Sequence, residues 1–143
     1  MHPIASDVFD TTGAFFNAGR WHSPGSRVVY AAEHVSLAAL ETLIHAGGRK
    51  IPPRSITRIE IPEAASIEKA PWVEMSLGDS RDFGGLWLEE MRTAVLQVPS
   101  IAVNRMESNY LLNPAHQDFA RIRSAKPETF VFDLRFFGVA AIS

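Results

Sequence analysis

Residues 19–45 read GRWHSPGSRVVYAAEHVSLAALETLIH, a turn, a strand and an amphipathic helix in immediate succession. Ser23-Pro24-Gly25-Ser26 is the turn, with Pro24 presetting φ and Gly25 tolerating a positive value. Val28-Val29-Tyr30 is β-branched and aromatic and predicts a strand. Ser36 is the expected cap of the helix that follows, its oxygen accepting from a free first-turn amide. Leu37, Leu40, Leu43 and Ile44 then recur with helical spacing. Glu41 lies one turn after Leu37 and within a turn of Ile44, so it borders that apolar stripe. This placement suits a carboxylate at the wall of a cleft and equally an ordinary boundary glutamate. Gly47-Gly48 predicts the end of the helix, and Pro52-Pro53 prevents it from resuming.

Outward from this unit the pattern is mixed. Residues 1–18 read as irregular, with a turn at Asp10-Thr11-Thr12-Gly13 and with Phe15-Phe16 packed inward. Ile56–Ile61 alternates, placing Thr57, Ile59 and Ile61 on one face of a half-buried strand. Ala64–Trp72 fits neither period. Phe83, Leu86, Trp87, Glu90, Met91 and Ala94 predict a helix over Asp79–Ala94, although Gly84-Gly85 should weaken it by ~1 kcal/mol per glycine. Leu96–Val103 reads as a strand with Pro99 at an edge or bulge. Glu107–Asp118 reads as a structured loop in which Asn113-Pro114 starts a turn, Phe119–Ile122 as a turn of helix, and Thr129–Phe137 as a closing strand. Strands and helices without βαβ regularity define an α+β fold, and the length suits a single domain over 1–143.

Bulk properties exclude several classes. The net charge of -2 gives no electrostatic footprint for nucleic acid. The absence of cysteine excludes disulfides and thiolate metal sites and fits a reducing cytoplasm. No apolar run approaches the ~20 residues of a membrane span, and the first residues lack the basic start and apolar core of a signal peptide. Asp82-Phe83-Gly84 copies a kinase triplet without the glycine-rich loop, strand lysine or catalytic loop that would give it meaning. Phosphate-loop, dinucleotide and nucleophile-elbow patterns are absent, and the five histidines fit no H-E-x-x-H metal motif. His45, near a helix end, suits the last carbonyls better than catalysis.

The segment G-R-W-H-x-x-G-x-x-V-V-Y-x-A-x-x-x-S-L-A-A-L-E-x-L-I-H resembles the RES domain, the toxin of RES–Xre toxin–antitoxin pairs. Further pieces match in order: Trp87, Val98-Pro99-Ser100, Asn109–His116 and Phe132-Asp133-Leu134-Arg135. The likeness covers nearly the whole chain. It departs from the family at His22, where asparagine is usual, and before His2-Pro3, where the family's aromatic–arginine opening strand is missing.

The resemblance implies an ADP-ribosyltransferase-like fold, with split antiparallel sheets and flanking helices around an NAD+ cleft. It implies NAD+ as substrate with no prosthetic group, and an Xre-type helix-turn-helix antitoxin as partner that would make any DNA contact itself. The toxin would need no metal. Cleaving the nicotinamide–ribose bond passes through an oxocarbenium-like sugar. Glu41 would stabilise that charge, and Arg20 would bind the pyrophosphate with its planar fork. Tyr30 would stack on nicotinamide or ribose, Ser100 would orient the ribose or the amide, and Trp21 would form a wall or core. His22, Asn109 and His116 are further candidates. Read singly, each has a plainer role: a surface salt bridge for Arg20, a core aromatic for Tyr30, a turn hydroxyl for Ser100. Water, phosphate or a protein side chain could accept ADP-ribose, which leaves glycohydrolase, phosphorylase and transferase open. A catalytically inactive nucleotide- or protein-binding module is the alternative from another class. An RNase is disfavoured by the acidic balance. The oligomeric state of the toxin–antitoxin complex stays open.

Overall fold

The computed structural model describes residues 4–5 and 18–138. In chain order the elements are β1 (Ile4–Ala5), β2 (Val29–Ala32), α1 (Val35–Ala46), β3 (Arg54–Glu60), β4 (Ile67–Lys69), α2 (Leu77–Glu89), β5 (Val95–Pro99) and β6 (Ser108–Leu112). A 3-10 turn (Gln117–Arg121), β7 (Arg123–Ser124), β8 (Glu128–Phe130) and a second 3-10 turn (Leu134–Phe137) follow among the described residues. The strand order is β4-β5-β6-β2-β1-β3-β7, with β8 also on β3. All pairs are antiparallel except β4–β5. The fold is α+β, and no helix among the described residues is long and apolar enough to cross a membrane.

β2, β5 and β6 bury both faces, which gives the molecule two apolar clusters. Val29, Ala31, Val95, Tyr110 and Leu112 pack with Ile59, Ile61 and Ile122 on one side. Leu96, Val98 and Leu111 pack with Trp21, Val28 and Trp87 of α2 on the other. Double burial removes the polar–apolar alternation by which a strand is recognised. That is why Asn109-Tyr110-Leu111-Leu112 reads as a loop in sequence yet forms the strand β6, bonded to β2 and β5 at once.

Other boundaries differ from the sequence expectations for local reasons. Ile4–Ala5 is not irregular but a strand between β2 and β3, while the turn expected at Asp10–Gly13 and the Phe15-Phe16 pair lie outside the described residues. β2 runs to Ala32 rather than ending at Tyr30. Ser36 does not cap α1: the cap position is His34, whose side chain makes no capping hydrogen bond. The start is fixed instead by Glu33, whose amide donates to the Ser108 carbonyl (3.1 Å) and whose carboxylate accepts from the Ser108 amide (2.9 Å). Gly47 ends α1 in the left-handed region, as expected.

The anticipated apolar stripe of α1 is largely outward: Leu37 is buried, but Leu40 and Ile44 are 40% and 61% exposed. Residues four apart share a helix face, so the Leu37 side that packs inward also carries Glu41.

α2 starts earlier than expected, with the Ser76 hydroxyl accepting from the Asp79 amide. It stops at Glu89 instead of reaching Ala94, because Met91 takes a positive φ of 53° and turns the chain toward β5. Pro99 is the last residue of β5, paired with Ser108 of β6 but lying beyond the end of β4, which reaches only Gln97, so it takes the edge position expected of a proline. Beyond it, Ile101–Glu107 is a connecting loop with Asn104 and Arg105 in the left-handed region. Thr129–Phe137 is not one strand: β8 ends at Phe130, and Asp133 caps the 3-10 turn by accepting from the Arg135 amide.

The two glycines of α2 differ sharply. A side chain at Gly85 would meet nothing, whereas a Cβ at Gly84 would run into the backbone carbonyl of Trp21. Gly84 therefore sets how closely α2 approaches the segment that carries Arg20. Gly84→Ala is expected to lower stability by at least about 1–3 kcal/mol, since backbone rather than a mobile side chain must move. Gly85→Ala should instead gain up to ~1 kcal/mol in helix propensity. Urea unfolding of both variants checks the contrast; equal effects would rule out the close approach as the reason for glycine at 84.

Candidate functional site

Register decides which side chains meet. In the β2–β6 pairing Tyr30 lies opposite Leu111 and Ala32 opposite Asn109, and Asn109 also lies opposite Val98 of β5. Side chains alternate along a strand, so Tyr30, Asn109 and Val98 emerge on the face covered by α2. Tyr30 and Asn109 are diagonal neighbours, roughly 7–8 Å apart in such sheets. Ser100 follows β5 directly. Its amide donates to the Glu107 carbonyl (2.9 Å) and its carbonyl accepts from the Arg105 amide (2.7 Å), so its backbone is held from both sides.

α1 delivers Glu41 to this group. Glu41 Oε1 accepts from Ser100 Oγ (2.8 Å) and from Asn109 Nδ2 (3.0 Å). Ser100 is 1% exposed, so its hydroxyl is a rigid donor. Oε2 makes no hydrogen bond among the described residues, which leaves one carboxylate oxygen fixed and the other available to a ligand. Ser100 and Asn109, at either end of the loop 101–107, thus converge on a carboxylate 59 and 68 positions away in the chain. Asn109, a lesser candidate in the sequence, proves to be one of its two direct partners.

Arg20 precedes the buried Trp21 and is itself half-buried. Its Nη2 donates to the Met75 carbonyl (3.2 Å), and it borders a shallow pocket with Val73, Met75, Pro99, Ile101 and Arg105. Arg81 of α2, which the sequence reading did not single out, donates from Nε to the Gly19 carbonyl (2.8 Å) and secures the same segment. Its signal in the sequence was only its position on a helix face. Trp21 is 4% exposed and packs edge-on against Phe83, so it is core that supports the pocket and not an open stacking surface.

Tyr30 is 36% exposed as a residue, while its hydroxyl end is packed against His22, whose Nδ1 lies 2.7 Å away. Desolvation of that end raises the phenol above its ordinary pKa of 10.0, against smaller lowering effects from the Trp21 backbone and the Arg81 charge. The phenol therefore stays protonated through the neutral range. His116 lies elsewhere in the fold: its Nδ1 accepts from the Asp118 amide and caps the 3-10 turn. Asn113 folds onto its own chain, with Oδ1 accepting from the Ala115 amide, as Asn-Pro turns do.

Among the described residues, Glu33, His34 and Glu107 bring potential metal-ligand atoms within 4.8 Å of one another. Glu33 already accepts from the Ser108 amide, and His34 faces Glu107 at 3.9 Å, so the group has a structural task at the joint of α1 and β6.

The chain belongs to the RES domain family, whose model matches residues 2–133. It is 36% identical over 141 residues to the "Prs ADP-ribosylating toxin" of Sphingobium sp. (strain YBL2), covering 91% of this chain and 87% of that protein. It is also 36% identical over 144 residues to "Toxin Res" of Yersinia enterocolitica (serotype O:8 / biotype 1B), covering 94% of each. The fold is similar to that in the crystal structure of the M. tuberculosis MbcT–MbcA toxin–antitoxin complex, with a TM-score of 0.71 at 12% identity over 91% of this chain and 82% of that one.

Removing the charge of Glu41 and removing its acceptor atoms should have different effects. Glu41→Gln keeps an oxygen for Ser100 and Asn109 and should leave thermal stability near that of the parent. Glu41→Ala strands the buried Ser100 hydroxyl and should cost about 1–3 kcal/mol. Thermal unfolding of the pair measures this; equal stability would mean that the clamp contributes nothing to the fold.

Proposed function

We propose that this chain is the cytoplasmic toxin of a toxin–antitoxin pair and that it cleaves the nicotinamide–ribose bond of NAD+. The observation that carries the reading is the Glu41 carboxylate held by Ser100 and Asn109 in a chain over a third identical to an ADP-ribosylating toxin. When the C–N bond to nicotinamide breaks, its electron pair leaves with the ring nitrogen and positive charge develops on the ribose. A carboxylate already oriented by two donors meets that charge without reorganising. Arg20 is assigned to the pyrophosphate and Tyr30 to the nicotinamide-ribose end. Ser100 acts by holding Glu41 rather than by reaching the ribose itself. NAD+ is substrate, and the reading calls for no prosthetic group or metal.

The acceptor defines two readings. Glu33, the other carboxylate near the start of α1, is engaged by Ser108. With no second free carboxylate assigned to activate a protein side chain, water or phosphate is the favoured acceptor, which gives free ADP-ribose or its 1″-phosphate. The name of the Sphingobium relative favours the second reading, transfer to a protein. Incubating the purified chain with NAD+, with and without phosphate and with bacterial lysate, separates them by mass spectrometry. The expected result is nicotinamide release with small-molecule products, reduced at least ~10²-fold in Glu41→Gln. A dominant ADP-ribosylated protein would make the chain a transferase, and intact NAD+ throughout would overturn the enzyme reading in favour of a binding module.

The partner is proposed to be an antitoxin of the Xre type that covers the cleft between Gly19 and Glu41. A segment ending in a carboxylate suits the position beside Arg20, where the substrate diphosphate would lie. Expressed alone, the chain should arrest bacterial growth, and co-expression of the neighbouring antitoxin gene should restore it. A complex in which the antitoxin binds but leaves NAD+ cleavage unchanged would rule out occlusion.

A further inference from the structure

Gly19, His22 and Tyr30 form a packed group of which the chemistry above uses only Tyr30. His22 is 2% exposed, its Nδ1 is 2.7 Å from the Tyr30 hydroxyl, and the two rings lie 5.5 Å apart at 51°. The Gly19 amide donates to the His22 carbonyl (3.1 Å), closing a turn that brings Gly19 against both side chains. A Cβ at residue 19 would sit 2.5 Å from the Tyr30 hydroxyl oxygen and 2.8 Å from the imidazole. The space is therefore reserved for the pair.

The register of β2 fixes the backbone of Tyr30 but not the rotation of its ring, and Tyr30, at 36%, is the most exposed residue of this group. Holding the far end of the phenol is what converts a mobile aromatic into a fixed surface. We propose that His22 is a positioning residue for Tyr30, whose ring it aims at the nicotinamide-ribose end of the substrate through the Nδ1–hydroxyl bond. This rests on the assignment of Tyr30 made above. The bond forms with either neutral tautomer: an unprotonated Nδ1 accepts from the phenol, and a protonated one donates to it.

Asparagine at 22 would meet the same geometric requirement. The side-chain amide atoms of asparagine and the Nδ1 of histidine lie the same number of bonds beyond Cβ. Either residue at 22 places a hydrogen-bonding atom at the Tyr30 hydroxyl. Histidine makes the bond and fills more of the buried space than asparagine would.

The test is a double-mutant cycle of His22→Ala and Tyr30→Phe, with His22→Asn alongside, read as kcat and KM for NAD+ loss, as growth arrest and as melting temperature. His22→Ala is expected to lower kcat about tenfold with little change in KM, which the diphosphate contact sets. His22→Asn should stay within about threefold of the parent. The double variant should be no worse than Tyr30→Phe alone, because both remove the same bond. Additive losses, an asparagine variant as impaired as the alanine one, or a loss that merely follows the unfolded fraction would overturn the proposal. Should the parent chain leave NAD+ intact, the substrate reading fails, and the same cycle measured by growth arrest still decides whether His22 acts through Tyr30.

Discussion

The double pairing of β6 is the constraint on which the rest of the structure depends. Ser108–Leu112 is bonded to β2 along one edge and to β5 along the other. A slip of one residue would send Asn109 and Leu111 to the opposite face and bring Tyr110 and Leu112 in their place. Burial on both faces forbids this, since Tyr110 and Leu112 belong to one apolar cluster and Leu111 to the other. The amide that meets Glu41 is thus aimed by the packing of its neighbours.

The joint between α1 and β6 carries the constraint to the helix. Glu33 makes two hydrogen bonds with Ser108, one through its backbone and one through its carboxylate. The next strand residue after Ser108 is Asn109, and two turns further along the helix is Glu41. The start of the helix and the partner of its carboxylate are therefore tied to adjacent positions of one strand. On the far side, Arg81 and Gly84 of α2 hold the Gly19–His22 segment, one by bonding the Gly19 carbonyl and the other by yielding space to the Trp21 carbonyl. Charges that would repel or wander in an unfolded chain are presented here on rigid elements.

This arrangement separates structural from chemical work among residues that look alike in sequence. Of the two glutamates flanking the start of α1, Glu33 secures the fold and Glu41 keeps an oxygen without a partner among the described residues. Of Trp21 and Tyr30 in the central segment, the first is sealed in the core and the second is partly open to solvent. His116 and Asn113, which share a recognisable motif, shape the turn after β6.

By itself the sequence determined the turn–strand–helix unit, the α+β class and the family, because these rest on local signals: a proline–glycine turn, a helical repeat, a left-handed glycine at the helix end, and motifs in a given order. It also pointed to Glu41, Ser100 and Asn109 as separate candidates. Only the tertiary structure decided that these three are bonded to one another, since that requires a strand register and a helix anchor set by residues tens of positions apart. It also decided which face of α1 is buried: spacing cannot distinguish the Leu40–Ile44 side from the Leu37–Glu41 side, and contact with the sheet chose the latter. The strand at Ser108–Leu112 was hidden for the same reason that it matters, because a segment buried on both faces shows no alternation to read.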